Sequence, residues 1–254
     1  MTKLKNLKSF KIQTHLTSFG PELLESMSQN QKCLEEVVLP LLATLNSASI
    51  NEFCTNLRES LVKLRFGTCG AQPSNWWDFD SLHKLKNIKE LTLCDSNQQF
   101  TDIQIANLAR ISSLKLLKFY GFYSSPDNLM RLFSNLQLDV LEKIEMKISC
   151  IDNLAEILDV VISKLGENLE ELKLICESHR QEFCQYQYKE TLTLAQLKTI
   201  MTKCPKLKKL EIHGQNLPDQ YLCQIEKKHN FQLIVDPPKA KSMKRFKMMH
   251  AKIL

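Results

Sequence analysis

The residues that could do chemistry are thinly spread. The six histidines, at 15, 83, 179, 213, 229 and 250, are few and scattered. No glycine-rich phosphate loop, HExxH, GxSxG or paired CxxC occurs, so the chain lacks the local signatures of nucleotide, zinc-protease and hydrolase chemistry. Cys176, His179 and Cys184 fall close together in sequence. Zinc takes four ligands, usually in tighter pairs, so no metal, cofactor or small-molecule substrate is expected. The chain reads as a non-enzyme.

The binding chemistry is richer. Trp76 and Trp77 stand together in the polar run 70–77, and exposed tryptophan is a frequent anchor of protein interfaces. The alternative is that the indoles plug a gap where a helix is missing. Phe183, Tyr186 and Tyr188 cluster in the stretch 177–191, which is either a partner-binding loop or a tolerated surface insertion. The segment 237–254 holds Lys239, Lys241, Lys244, Arg245, Lys247 and Lys252 with no acid. Since the whole chain carries 34 basic and 28 acidic residues, the rest is neutral and the basicity is a tail. Met243, Phe246, Met248, Met249, Ile253 and Leu254 interleave with those cations. Such a mixture suits RNA, an acidic protein or an anionic membrane surface, or else a solubilising tail.

These groups need a scaffold, and the scaffold is a repeat. Leucine, two or three residues, an aliphatic residue, two residues, leucine, one residue and another apolar residue recur along the chain. Copies are Leu57, Leu61, Leu64, Phe66; Leu85, Ile88, Leu91, Leu93; and Ile111, Leu114, Leu117, Phe119. Further copies are Leu138, Leu141, Ile144, Met146; Leu165, Leu169, Leu172, Leu174; and Cys204, Leu207, Leu210, Ile212, with an outlying Leu4, Leu7, Phe10, Ile12. The third position of successive copies falls at 64, 91, 117, 144 and 172, so four consecutive steps agree to within two positions. The short alternating part predicts a strand, and the three-and-four spacing between copies predicts a helix. Neither can bury its apolar face alone, so neighbouring units must stack.

The run Cys-Pro-Lys-Leu-Lys-Lys-Leu-Glu-Ile at 204–212 resembles the cysteine-containing leucine-rich repeat of F-box protein repeat regions. The period is similar to that of ribonuclease-inhibitor-like repeats. The resemblance covers 57–235 well and 1–56 poorly. It implies an α/β solenoid: a right-handed horseshoe with parallel strands on the concave face and helices on the convex face. At the position usually held by Asn or Cys stand Cys69, Ser96, Phe122, Ser149, Glu177 and Gln215. Only the first fits, which predicts an irregular ladder.

Three regions follow: a degenerate N-terminal repeat and helical cap over 1–56, a solenoid over 57–236, and the basic tail over 237–254. The step from Phe10 to Leu64 is twice the usual one. A hidden repeat would fill it; the expectation is two helices, 21–33 and 34–45, with 50–61 leading into the next strand. Gly20-Pro21-Glu22-Leu23-Leu24 resembles the start of an F-box but lacks its later positions.

On the predicted concave face one column of side chains reads Arg65, Thr92, Lys118, Glu145, Lys173, Glu211, and the other Lys63, Glu90, Leu116, Lys143, Glu171, Lys209. The alternating signs predict ion pairs between strands and little net field, a poor grip for phosphate backbones. Either the ladder only solubilises the sheet, or it reads a mixed-charge partner.

Function is expected to be that of a protein–protein interaction scaffold, which includes the role of a structural subunit in a larger assembly. The alternatives are the substrate-recognition subunit of a ubiquitin ligase and an accessory RNA- or membrane-contacting protein. Nine cysteines, an odd number without CxxC pairs, suggest free thiols and an intracellular, cytoplasmic or nuclear setting. The stretch 1–20 holds four lysines and no acid, a feature shared with mitochondrial presequences.

Overall fold

The computed structural model describes residues 6–12, 21–39, 47–67, 79–94, 101–122, 126–136, 139–149, 154–177, 193–213 and 231–236. Alternation of apolar and polar residues makes the strands. They are β1 (Ser9–Lys11), β2 (Glu36–Leu39), β3 (Lys63–Gly67), β4 (Glu90–Cys94) and β5 (Leu116–Phe122), then β6 (Lys143–Ser149), β7 (Glu171–Glu177), β8 (Lys209–His213) and β9 (Gln232–Asp236). These nine strands form one sheet in chain order, and every adjacent pair is parallel.

Parallel neighbours require crossovers, and the described crossovers carry α1 (Pro21–Asn30), α2 (Ser47–Asn56), α3 (Asp102–Ala109), α4 (Pro126–Asn135), α5 (Leu154–Leu165) and α6 (Leu194–Lys203). α1 packs on α2, and α3, α4, α5 and α6 pack each on the next. The result is an α/β protein compatible with a solenoid-like repeat.

One column of the sheet lines up Phe10, Val37, Leu64, Leu91, Leu117, Ile144, Leu172, Leu210 and Leu233. From Val37 to Leu210 these side chains are almost fully buried. They share one core with helix residues such as Met27, Phe53, Leu108, Phe133, Ile157 and Ile200. Phe119 and Phe133 join sheet to helix edge-to-face, 5.7 Å between centroids, a favoured aromatic geometry. At both ends of the row Phe10 and Leu233 are only partly buried.

Two readings of the N-terminal region change. No helix spans 34–45: residues 36–39 are β2, paired with β1 and β3. Val37 stands midway in sequence between Phe10 and Leu64, one ordinary step from each, so the hidden repeat is real and in step. Leu34, Val37 and Leu39 are buried in its inward positions. The helices on either side end sooner than expected, at Asn30 and Asn56.

Between β3 and β4 the described residues hold a 3-10 turn, Leu82–Lys84, rather than an α-helix. Phe79 fills the space there. It is buried, packs against Phe66 with centroids 5.9 Å apart, and adopts φ of 58°. That left-handed backbone is costly for a bulky residue, so core burial of its ring must hold it. Trp76 and Trp77 lie outside the described residues.

One register shift interrupts the ladder, against β6 between Tyr120 and Phe122. Elsewhere polar links repeat in step. Asn87 Nδ2 donates to Glu59 O at 2.7 Å, and Asn168 Nδ2 donates to Asp139 O at 2.6 Å. Each asparagine stands four positions before its core leucine, Leu91 or Leu172. The bond ties each unit to the turn before it.

Thr101 and Thr193 begin α3 and α6 with capping boxes, the glutamine at 104 or 196 returning a bond to the cap backbone. Both follow the Thr-x-x-Gln spacing of a capping box. Thr101→Ala and Thr193→Ala are each expected to cost about 1 kcal/mol. Urea denaturation should show a lower midpoint with an unchanged slope.

Candidate interaction face of the sheet

The apolar side chains of each strand enter the core, so the intervening ones stand on the opposite face. The strand register places Arg65, Thr92, Lys118, Glu145, Lys173 and Glu211 in one row, and Lys63, Glu90, Leu116, Lys143, Glu171 and Lys209 in the next. Both rows are those expected from the sequence. Lys118, Glu145, Lys173 and Glu211 come together. The other candidates, Trp76, Trp77, Phe183, Tyr186, Tyr188, Lys239, Lys241, Lys244, Arg245, Lys247 and Lys252, lie outside the described residues. So do His179 and Cys184 of the weighed metal set.

The ion pairs form a connected chain rather than two separate columns. Lys63 meets Glu90 at 3.3 Å, and Glu90 meets Lys118 diagonally at 3.2 Å. Lys118 meets Glu145 at 3.5 Å, and Glu145 meets Lys173 at 3.9 Å. Lys173 reaches Glu211 at 2.8 Å, and Glu211 binds Lys209 of its own strand at 2.9 Å. Lys143 and Glu171 pair alongside at 2.5 Å. The diagonal exists because residues two apart on a strand share a face, so both rows compete for the same partners.

Two residues outside the expected rows, Tyr120 and His213, join the network. Burial, then the charge of Glu145 and a hydrogen bond to it, push the Tyr120 phenol well above its ordinary range. Tyr120 therefore stays protonated and donates to Glu145. Arg65 stacks on the Tyr120 ring, its guanidinium carbon 5.5 Å from the centroid, a cation–π contact. His213 Nε2 lies 2.5 Å from Glu211 Oε1. Tyr120 and His213 occupy the next outward position of their strands, and strand alternation alone would have flagged them.

No family model matches the chain, and no curated protein is significantly similar to it in sequence. Among solved structures the chain is similar to a protein from Bacteroides fragilis, a structural-genomics target. They share 13% identity at a TM-score of 0.39, over 85% of this chain and 80% of that one. A likeness so low carries no argument.

Glu211 is the most enclosed charge of the network. Burial by itself would raise its pKa, but hydrogen bonds from Lys173, Lys209 and His213 outweigh that and hold it at about 2. The bond to Glu211 in turn raises Lys209. A carboxyl depressed in the folded state stabilises above its unfolded value, about 4.3, and loses that contribution as pH falls toward 2. Stability should therefore drop from about pH 4.3 down to about pH 2, and Glu211→Gln should flatten the drop. An unchanged acid limb in that variant would remove Glu211 from the account.

Cys33, Cys54 and Cys204 form no disulfide. Burial pushes the Cys204 thiol up to about 11 and that of Cys54 higher still, so neither supplies thiolate near neutrality. No helix among the described residues is long and apolar enough to cross a membrane.

Proposed function

We propose that this chain is a leucine-rich-repeat solenoid of the ribonuclease-inhibitor-like kind and works as a non-catalytic protein–protein interaction scaffold. The observation that carries this is the open face of the sheet. Strands held in register at a nearly constant period present side chains on one continuous surface, with polar heads linked across six strands, β3 to β8. A surface so wide and so fixed by its own contacts suits a macromolecule, which can touch many strands at once.

Affinity purification with mass spectrometry tests the proposal. The intact chain is compared with chains lacking 237–254, carrying Trp76→Ala and Trp77→Ala, or carrying Lys118→Gln and Lys173→Gln. A partner set that depends on the lysines places binding on the sheet. Partners that survive the sheet substitutions and vanish with the tail or the tryptophans would overturn it.

A further inference from the structure

The charges on the open face balance closely in number, yet they are not equally exposed. In the chain from Lys63 to Lys209 the carboxylates of Glu90, Glu145 and Glu211 keep 23%, 17% and 10% of their side-chain exposure. The lysines Lys63, Lys118, Lys173 and Lys209 keep 53%, 22%, 32% and 34%. The acids of this chain are on the whole the more enclosed side chains, with Lys118 as enclosed as Glu90.

Hydrogen-bonding capacity is divided the same way. Both oxygens of Glu90 hold a lysine, as do both oxygens of Glu145, which also accepts from Tyr120. Glu211 accepts Lys173 and His213 on Oε1 and Lys209 on Oε2. Each ammonium has three donors, and within this chain Lys63 contacts one carboxylate and Lys118 two. Every carboxylate oxygen in this chain already has a partner, while donor capacity remains on Lys63 and Lys118.

We propose that the open face binds an extended acidic segment of a protein partner, with carboxylates at every third position. This rests on the scaffold reading above and names the partner of the same face. The spacing comes from the row Arg65, Lys118 and Lys173, whose members lie on β3, β5 and β7, every second strand. Adjacent strands are about 4.8 Å apart, so the backbone positions that carry these long, pivoting side chains repeat at about 9.6 Å. A polyproline II segment has three residues per turn and rises about 9.3 Å per turn. Acids at every third position then point the same way and meet Arg65, Lys118 and Lys173 in succession. The contact with the Tyr120 ring is a cation–π one, which does not consume the N–H donors of Arg65.

A nucleic acid fits less well. Its binding draws on dense cationic neutralisation of successive phosphates, and here Glu145 interrupts the row between Lys118 and Lys173. The inserted acids leave a periodic, directional set of donors rather than a strong field.

The experiment measures anisotropy of labelled probes with the full chain. The probes are a peptide of four Glu-Pro-Pro units, a peptide of equal charge with a glutamate at every fourth position, and oligouridylate of equal charge. The Glu-Pro-Pro peptide is expected to bind at least tenfold tighter than the other two. Lys118→Gln with Lys173→Gln should remove at least tenfold of that affinity, and the exposed change Arg65→Gln should weaken it separately. Circular dichroism shows whether each variant remains folded; Arg65→Gln carries the test if the double variant does not. Equal binding of both peptides, tighter binding of the RNA, or undiminished binding by Arg65→Gln overturns the proposal. If the peptide fails while natural partners are still lost from the lysine variants, the acidic segment falls and the scaffold reading stands.

Discussion

Gly166→Ala is expected to destabilise the protein by about 1–3 kcal/mol, the range of overpacked core positions. Gly166 follows the last residue of α5, is buried, and donates its N–H to Ile162 O at 3.0 Å. A Cβ there would lie 2.4 Å from Ile162 O, 2.9 Å from Lys203 O and 3.1 Å from Cys204 Sγ. Two of those three atoms are backbone and cannot rotate aside. Lys203 ends α6, so relief requires α5 and α6 to separate or the α5 terminus to unwind. Denaturant titration should show the loss, whereas exposed Glu167→Ala beside it should change stability by less than about 0.5 kcal/mol. A neutral Gly166→Ala would mean that the ends of α5 and α6 do not approach this closely.

Glu145→Lys should cost on the order of 3 kcal/mol, the effect of breaking an enclosed charge cluster. It removes the carboxylate shared by Lys118, Lys173 and Tyr120 and puts a third ammonium in one row. Like charges opposite one another on a sheet repel. Raising the salt concentration should restore part of the loss, which loss of packing alone would not show. Adding Glu171→Lys takes the carboxylate from Lys143 as well and should deepen the effect. If stability falls while partner capture is retained, the ladder serves the fold alone. If both fall, with capture failing in a variant still folded by circular dichroism, the face is the contact surface.

Much of this frame is readable in the chain. The regular step and the inward leucines predict strands at 64, 91, 117, 144, 172 and 210, and all lie in the sheet. The strand at Val37 was available to the same ruler. A helix across 34–45 neglects Val37, Val38 and Pro40, since β-branched residues favour a strand and proline breaks a helix interior. Pairing with β1 and β3 satisfies backbone and core together.

The site divides likewise. Alternating signs at a fixed register determined that Lys118, Glu145, Lys173 and Glu211 would neutralise one another, because strand spacing is nearly constant. Sequence also determined the apolar rows and the repeat period, both properties of strict repetition. Tertiary structure alone decided the left-handed Phe79, the close approach at Gly166, the Glu90–Lys118 diagonal and the seat of Arg65 on Tyr120. It also decided which charges are the more enclosed. Each of these depends on distances between side chains from different units, and those distances exist only once the sheet and its helices have packed.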